Sequence, residues 1–185
     1  MEEKYTQDNV RSRLLLSGLK ELETHGVTDF SLRRVAQDAG VSCAAPYRHF
    51  KDKDELINAV IGYVVDGWTL LSNQICEIFS SDRTLLVTEL IVSGLRFWIA
   101  NGNFRTVIAA SATVDGARRG PLAAFDRPII AAIEEYARHK GIADTEPQVF
   151  KLLSLLYGAV TLVDGGYESA DIAADNLRSV LKNEL

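Results

Sequence analysis

Seven apolar residues, Ile57, Ile61, Val64, Trp68, Leu71, Ile75 and Ile78, are separated alternately by four and three positions. That spacing holds them on one face of a helix for about six turns, whereas a strand changes face at every residue. Asp52, followed three positions later by Glu55, has the form of a capping box and opens this helix, and Ser80-Ser81-Asp82 closes it. One long amphipathic helix therefore sits in the first half of the chain, and the fold has to be built around it.

The same period runs through almost the whole sequence, and no Asn-Gly or Asp-Gly stands between alternating strand formers. The expectation is an all-α chain of about nine helices, near 6–24, 31–39, 42–50, 52–79, 83–100, 103–113, 121–139, 145–164 and 169–183. Gly26, the Gly40-Val41 pair, Asn101-Gly102-Asn103, the 115–120 stretch, Gly141 and Gly165-Gly166 separate them. The first helix carries Leu15, Leu19 and Leu22 on one face; the second, capped by Ser31, has Leu32, Val35, Ala36 and Ala39 as its apolar residues.

Composition narrows the class. Of 185 residues, 47% are hydrophobic and 24% charged, close to the globular average, so neither disorder nor a fibrous repeat is expected. The longest uncharged apolar stretch, Leu152 to Val163, is closed by Lys151 and Asp164 and falls short of the ~20 residues that span a bilayer. The start, Met1-Glu2-Glu3-Lys4, is polar and does not read as a signal peptide, and two cysteines, Cys43 and Cys76, make no disulfide framework. The expectation is a cytoplasmic protein without a membrane partner.

No catalytic constellation stands out. His25, His49 and His139 are too far apart for metal-ligand spacing, and there is no glycine-rich phosphate loop or nucleophile elbow. Glu134 and Glu135 are adjacent, so a helix points them about 100° apart, as on a solvated face. No enzyme, metal or cofactor is expected.

Net charge is −5, which argues against nucleic acid, but residues 31–53 carry a local balance of +3 from Arg33, Arg34, Arg48, Lys51 and Lys53 against Asp38 and Asp52. The same stretch suits a helix-turn-helix. Ala36 is small where a second helix must cross, Gly40 tolerates a left-handed turn, and Val41, Pro46 and Phe50 can face inward while Ser42, Cys43, Ala44, Tyr47, Arg48 and Lys51 face out. Spacing alone leaves DNA binding and a plain three-helix core both open.

The ordered matches in Gly26 and Phe30, Val35-Ala36, Ala39-Gly40-Val41-Ser42, Tyr47-Arg48-His49-Phe50 and Lys53-Asp54-Glu55-Leu56 resemble the N-terminal domain of the TetR family of transcriptional regulators. The resemblance covers roughly residues 8 to 62. It implies a helix-turn-helix DNA-binding domain over 1–51 and a helical ligand-binding and dimerisation domain over 52–185. It also implies a homodimeric repressor that reads an inverted-repeat operator in double-stranded DNA and is released by a small-molecule effector.

Carried onto this sequence, the resemblance turns Ser31, Tyr47, His49 and Lys53 toward phosphates, with Arg33 in the same DNA-facing set. Ser42, Cys43, Ala44 and Ala45 fall where base edges are read, and Arg48 suits either a phosphate or a guanine. His49 has a second reading as a histidine at the core edge. Pro46 departs from the family pattern, which has an aliphatic residue there, and is expected inside the recognition helix at the cost of one backbone bond.

For the body, Trp68, Phe97, Trp98, Phe104 and Phe125 are candidates to line an apolar ligand pocket, with Arg96 and Asn101 as its polar groups. Plain core packing is the other reading of the aromatics, and Arg96 has Glu89 as an alternative partner. In the last two helices Leu153, Leu156, Val160, Val163, Leu177, Val180 and Leu181 are candidates for the dimer interface, against a role in the monomer core. A regulator without a pocket, controlled by a protein partner or by oxidation of Cys43, is the alternative function.

Overall fold

The computed structural model describes residues 2–102 and 120–185, with side chains from Asn9 onward. Eight α-helices and no strand are found among these residues: α1 (Glu2–His25), α2 (Leu32–Asp38), α3 (Pro46–His49), α4 (Lys53–Ile78), α5 (Arg83–Ala100), α6 (Pro121–His139), α7 (Glu146–Asp164) and α8 (Ala170–Glu184). The helix expected near 103–113 lies outside the described residues.

Two compact units divide the described chain, one reaching Asp66 and the other holding Gly67–Gly102 and Leu122–Leu185. The first unit therefore takes in the opening turns of α4, beyond the boundary expected at residue 51.

In the first unit α1 packs on α2 and α3. Leu14, Leu15 and Leu22 are buried on α1, together with Ser17 and Glu21, while Leu19 is only half-buried. The buried face thus follows residues 14, 18 and 22 rather than passing through Leu19, because Gly18 sits against α4. A Cβ built there would lie 2.9 Å from the Val60 side chain, so glycine permits the close crossing. Phe30, Val35, Ala36, Phe50, Leu56, Ile57, Val60 and Ile61 complete this core.

The capping box of α4 forms: the Glu55 amide donates to Asp52 Oδ1 at 2.9 Å, and Glu55 Oε2 accepts from the Lys51 amide at 2.5 Å. Of the α4 stripe, Ile57, Ile61, Val64, Trp68 and Ile75 are buried, Leu71 is half-buried, and Ile78, the last residue of the helix, is exposed.

In the second unit α5 packs on α7 and α8, which also pack on each other. Asp82 caps α5, accepting from the Leu85 amide at 2.9 Å. Gly94 gives α5 its close approach to α6, where an added Cβ would meet Ile129 at 3.2 Å and Phe125 at 3.4 Å. Val87, Leu90, Ile91, Leu95, Ile129, Ile133, Leu152, Leu156, Val160, Leu177 and Leu181 fill the centre.

Candidate nucleic-acid interface

Ser31 caps α2, its Oγ accepting from the Arg34 amide at 3.4 Å. The helix ends in a Schellman turn: the Val41 amide donates to Ala36 O at 3.0 Å and the Gly40 amide to Gln37 O at 3.1 Å. Gly40 has φ +63°, the left-handed conformation this turn demands and that a Cβ disfavours. The expected helix-turn-helix geometry is therefore present up to Val41.

Beyond it the recognition element differs from the expectation. Residues 42–45 form turns, not helix, and α3 spans only Pro46–His49. Proline explains the late start. It has no N–H to give to Ser42 O, which instead accepts from the Ala45 amide at 2.9 Å, and Pro46 takes the first helical position. Because that position has no intrahelical donor to lose, Pro46 removes no bond from α3; its ring is buried as part of the core.

This arrangement presents a continuous outer surface. Ser42, Cys43, Ala44, Tyr47, Arg48 and Lys51 are exposed, Tyr47 to 62%, while Ala45 and His49 are half-buried and Phe50 is 3% exposed. The His49 ring tilts against Phe50 at 6.4 Å between centroids, so both its readings remain sterically available. Arg33 is exposed on α2. Lys53, half-buried, donates to Thr28 O at 3.3 Å and stands at the start of α4.

Not all of the basic charge faces out freely. Arg34 is turned onto α1, where its Nε donates to Glu21 Oε1 at 2.8 Å. The same carboxylate oxygen accepts the Ser31 amide at 3.0 Å, and Glu21 Oε2 lies 3.2 Å from His25 Nδ1. Burial works to raise the Glu21 carboxyl, but the bonds from Arg34 and Ser31 and the nearby charges outweigh it and hold the group below the usual carboxylate range. Lys20 and Asp38 pair at 2.5 Å across the same groove between α1 and α2, which has a volume of about 410 Å³.

Sequence reasoning missed what α1 contributes. Glu21 lies in register with the buried Leu14–Gly18–Leu22 face, and a charged residue in that register is the signal that a partner is needed. Arg13 donates through Nη2 to the carbonyls of Ala39 and Gly40, the latter at 3.3 Å, and the Arg11 guanidinium stands 5.4 Å above the Phe50 ring.

The body residues divide. Trp68 and Phe125 are fully buried and Trp98 is 5% exposed; ring centroids lie 4.6 Å apart for Trp68–Phe125, 5.3 Å for Trp68–Phe97 and 4.8 Å for Trp98–Phe125. Trp68 Nε1 donates to Phe125 O at 2.8 Å. Phe104 lies outside the described residues. Arg96 is half-exposed and pairs with Asp171 at 3.6 Å, while its alternative partner Glu89 is taken by Arg178 at 3.0 and 3.1 Å. The side-chain amide of Asn101 is turned back onto Phe97 O at 2.8 Å.

Four of the residues expected at a dimer interface, Leu156, Val160, Leu177 and Leu181, are at most 4% exposed within one chain. They serve the core of the second unit, because α5 covers that face of α7 and α8. Leu153 and Val163 are half-buried and Val180 is 40% exposed. The open flank of the same two helices carries Phe150 (75% exposed), Leu162 and Ile172.

Among the described residues no group of three His, Cys, Asp or Glu side chains could hold a metal ion, and no helix is long and apolar enough to cross a membrane.

Residues 14–60 match the family described as bacterial regulatory proteins, tetR family. An HTH-type transcriptional regulator of Staphylococcus aureus (strain bovine RF122 / ET3-1) is 30% identical over 80 residues, 43% of this chain and 43% of the relative, so the match spans less than half of that protein. A TetR transcription regulator from Haloarcula marismortui has the same fold, with a TM-score of 0.69 at 17% identity over 95% of this chain and 96% of that one. So does the transcriptional regulator FadR from Bacillus subtilis, solved in complex with stearoyl-CoA, with a TM-score of 0.67 at 11% identity over 92% of this chain and 96% of that one. The family match, over α1 to α4, coincides with the helices that build the exposed turn and α3, and the likeness of fold to these regulators extends over nearly the full length of the chain.

Proposed function

We propose that the chain is a cytoplasmic DNA-binding transcriptional repressor that reads an inverted-repeat operator as a homodimer and is released by a small-molecule effector. The observation that carries this reading is the exposed surface of residues 42–48, held outward by a glycine turn on one side and by buried Pro46 and Phe50 on the other. Ser31, Arg33, Tyr47, His49 and Lys53 hold phosphates in this reading. Ser42, Cys43, Ala44 and Ala45 lie against base edges, where their small side chains allow close approach and contact with thymine methyls, and Arg48 grips a guanine or a phosphate.

Two copies of the head would span half-sites about 34–36 Å apart. The open flank of α7 and α8, with Phe150, Leu153, Leu162, Val163, Ile172 and Val180, is the surface we assign to the second copy. Effector control is supported by the fold, since a regulator of the same fold holds stearoyl-CoA. In this reading the effector acts through α4, and it must favour the released state by several kcal/mol to empty the operator. A second reading, control by a protein partner or by Cys43 oxidation, is favoured by the close mutual packing of Trp68, Phe97, Trp98 and Phe125.

Selection from a random double-stranded DNA pool tests the DNA reading. It predicts an enriched inverted repeat whose affinity falls steeply between about 50 and 200 mM salt. Equal, weak retention of all sequences would overturn it.

A further inference from the structure

A Schellman turn leaves some carbonyls at the end of its helix without a backbone donor. In α2 the turn uses the carbonyls of Ala36 and Gln37. Past the last helical residue, Asp38, the carbonyls of Ala39 and Gly40 are both met from outside the helix by one guanidinium nitrogen, Arg13 Nη2 on α1. A cation is also favoured at the C-terminal end of a helix. Fit is tight: a Cβ added to Gly40 would stand 2.8 Å from that nitrogen. Two residues earlier on α1, Arg11 covers the Phe50 ring, the residue that follows α3. The segment 40–50, which carries every side chain assigned to base edges, is thus held at its front by Arg13 and at its back by Arg11.

We propose that Arg13 is a positioning residue for the DNA-reading segment, acting through the Ala39 and Gly40 carbonyls and not through a phosphate. This rests on the DNA-binding reading above. A basic residue on the first helix of such a head reads from sequence as a phosphate contact, and the two roles predict different measurements. A phosphate contact releases a counterion, so its loss lowers the salt slope by about one and weakens all sequences alike. A brace contributes nothing to the slope. Its loss lets residues 40–50 sample other orientations, which costs the specific complex more than the non-specific one.

The test compares the full-length chain with Arg13→Gln and Arg13→Lys, using the duplex that the wild-type chain enriches and a scrambled duplex of equal length. Amide hydrogen exchange is measured in parallel without DNA. Arg13→Gln should lose about tenfold in the specific-to-scrambled affinity ratio with an unchanged salt slope, and amides 40–50 should exchange about tenfold faster while amides 14–22 and 56–64 do not change. Arg13→Lys, which still donates to a carbonyl, should recover part of both effects; if Arg13→Gln does not fold, the same comparison made on Arg13→Lys decides. A slope lowered by about one with unchanged exchange overturns the proposal, and so does faster exchange throughout the head. If the wild-type chain enriches no duplex, the DNA reading fails while the exchange comparison still decides whether Arg13 braces the turn.

Discussion

Glu21 on α1 and Arg34 on α2 form an ion pair at 2.5 Å in which the carboxylate is 6% exposed and also accepts the Ser31 amide. The pair fastens the first turn of α2 to α1. Since the Glu21 carboxyl is held below its ordinary value of 4.5, the stability it contributes is present in full above that pH and is lost as pH falls through the lowered folded value. Glu21→Gln keeps the shape but removes the charge. It should cost about 1–2 kcal/mol at neutral pH, and the difference from wild type should close in acid below the folded value. Urea unfolding monitored across that window checks both.

Gly40→Ala meets two obstacles at once, the left-handed φ of +63° and the Arg13 guanidinium 2.8 Å from the new Cβ. The conformational part alone should destabilise by about 1–2 kcal/mol. Thermal unfolding of the variant measures the sum. Gly62, also on the head but with nothing within 4 Å of a built Cβ and no positive φ, is the control, and Gly62→Ala should be neutral or stabilising.

The long helices, the caps at Ser31 and Asp52 and the turn at Gly40 were legible in the sequence because each rests on local chemistry: a 3.6-residue period at Ile57–Ile75, a side chain that accepts from the first turn of its helix, a glycine where φ is positive. What depends on partners from distant elements was not. Leu156, Val160, Leu177 and Leu181 make an apolar face that suits a second copy as well as it suits α5, and only the packing of α5 assigns it to the monomer. Arg96 and Arg178 lie on different helices, and nothing local says that Arg178 rather than Arg96 takes Glu89. Pro46 was legible as a departure, but whether it breaks a helix or begins one depended on where the preceding turn ended.

Asp126 on α6 and Tyr157 on α7 share a hydrogen bond of 2.5 Å. Burial raises the Asp126 carboxyl despite the tyrosine's opposing donation, and it pushes the Tyr157 hydroxyl up as well. A carboxyl raised above 3.8 in the folded chain is penalised when ionised, so this penalty is present at neutral pH and is relieved as pH falls through the folded value. Tyr157→Phe takes away a donor that the ionised form needs. It should destabilise by about 1–3 kcal/mol at neutral pH and by less once Asp126 is protonated. An unfolding free-energy difference that stays constant with pH would contradict this.

Lys53 and Tyr47 differ in what they can release on reaching a phosphate. The lysine displaces a counterion and the phenol does not, although both are placed at the DNA-facing end of the head in the proposed reading. Lys53→Ala should therefore weaken binding to every duplex and lower the salt slope by about one, whereas Tyr47→Phe should weaken binding with the slope intact. Arg48→Ala separates the two remaining roles. If Arg48 grips a guanine, its loss relaxes preference at one position of each half-site by about tenfold or more. If it holds a phosphate, every sequence weakens together and the slope falls as for Lys53. Titrating the three variants against the enriched duplex and its single-base substitutions at two salt concentrations distinguishes these outcomes. Unchanged binding by all three would remove the 42–53 surface from the interface.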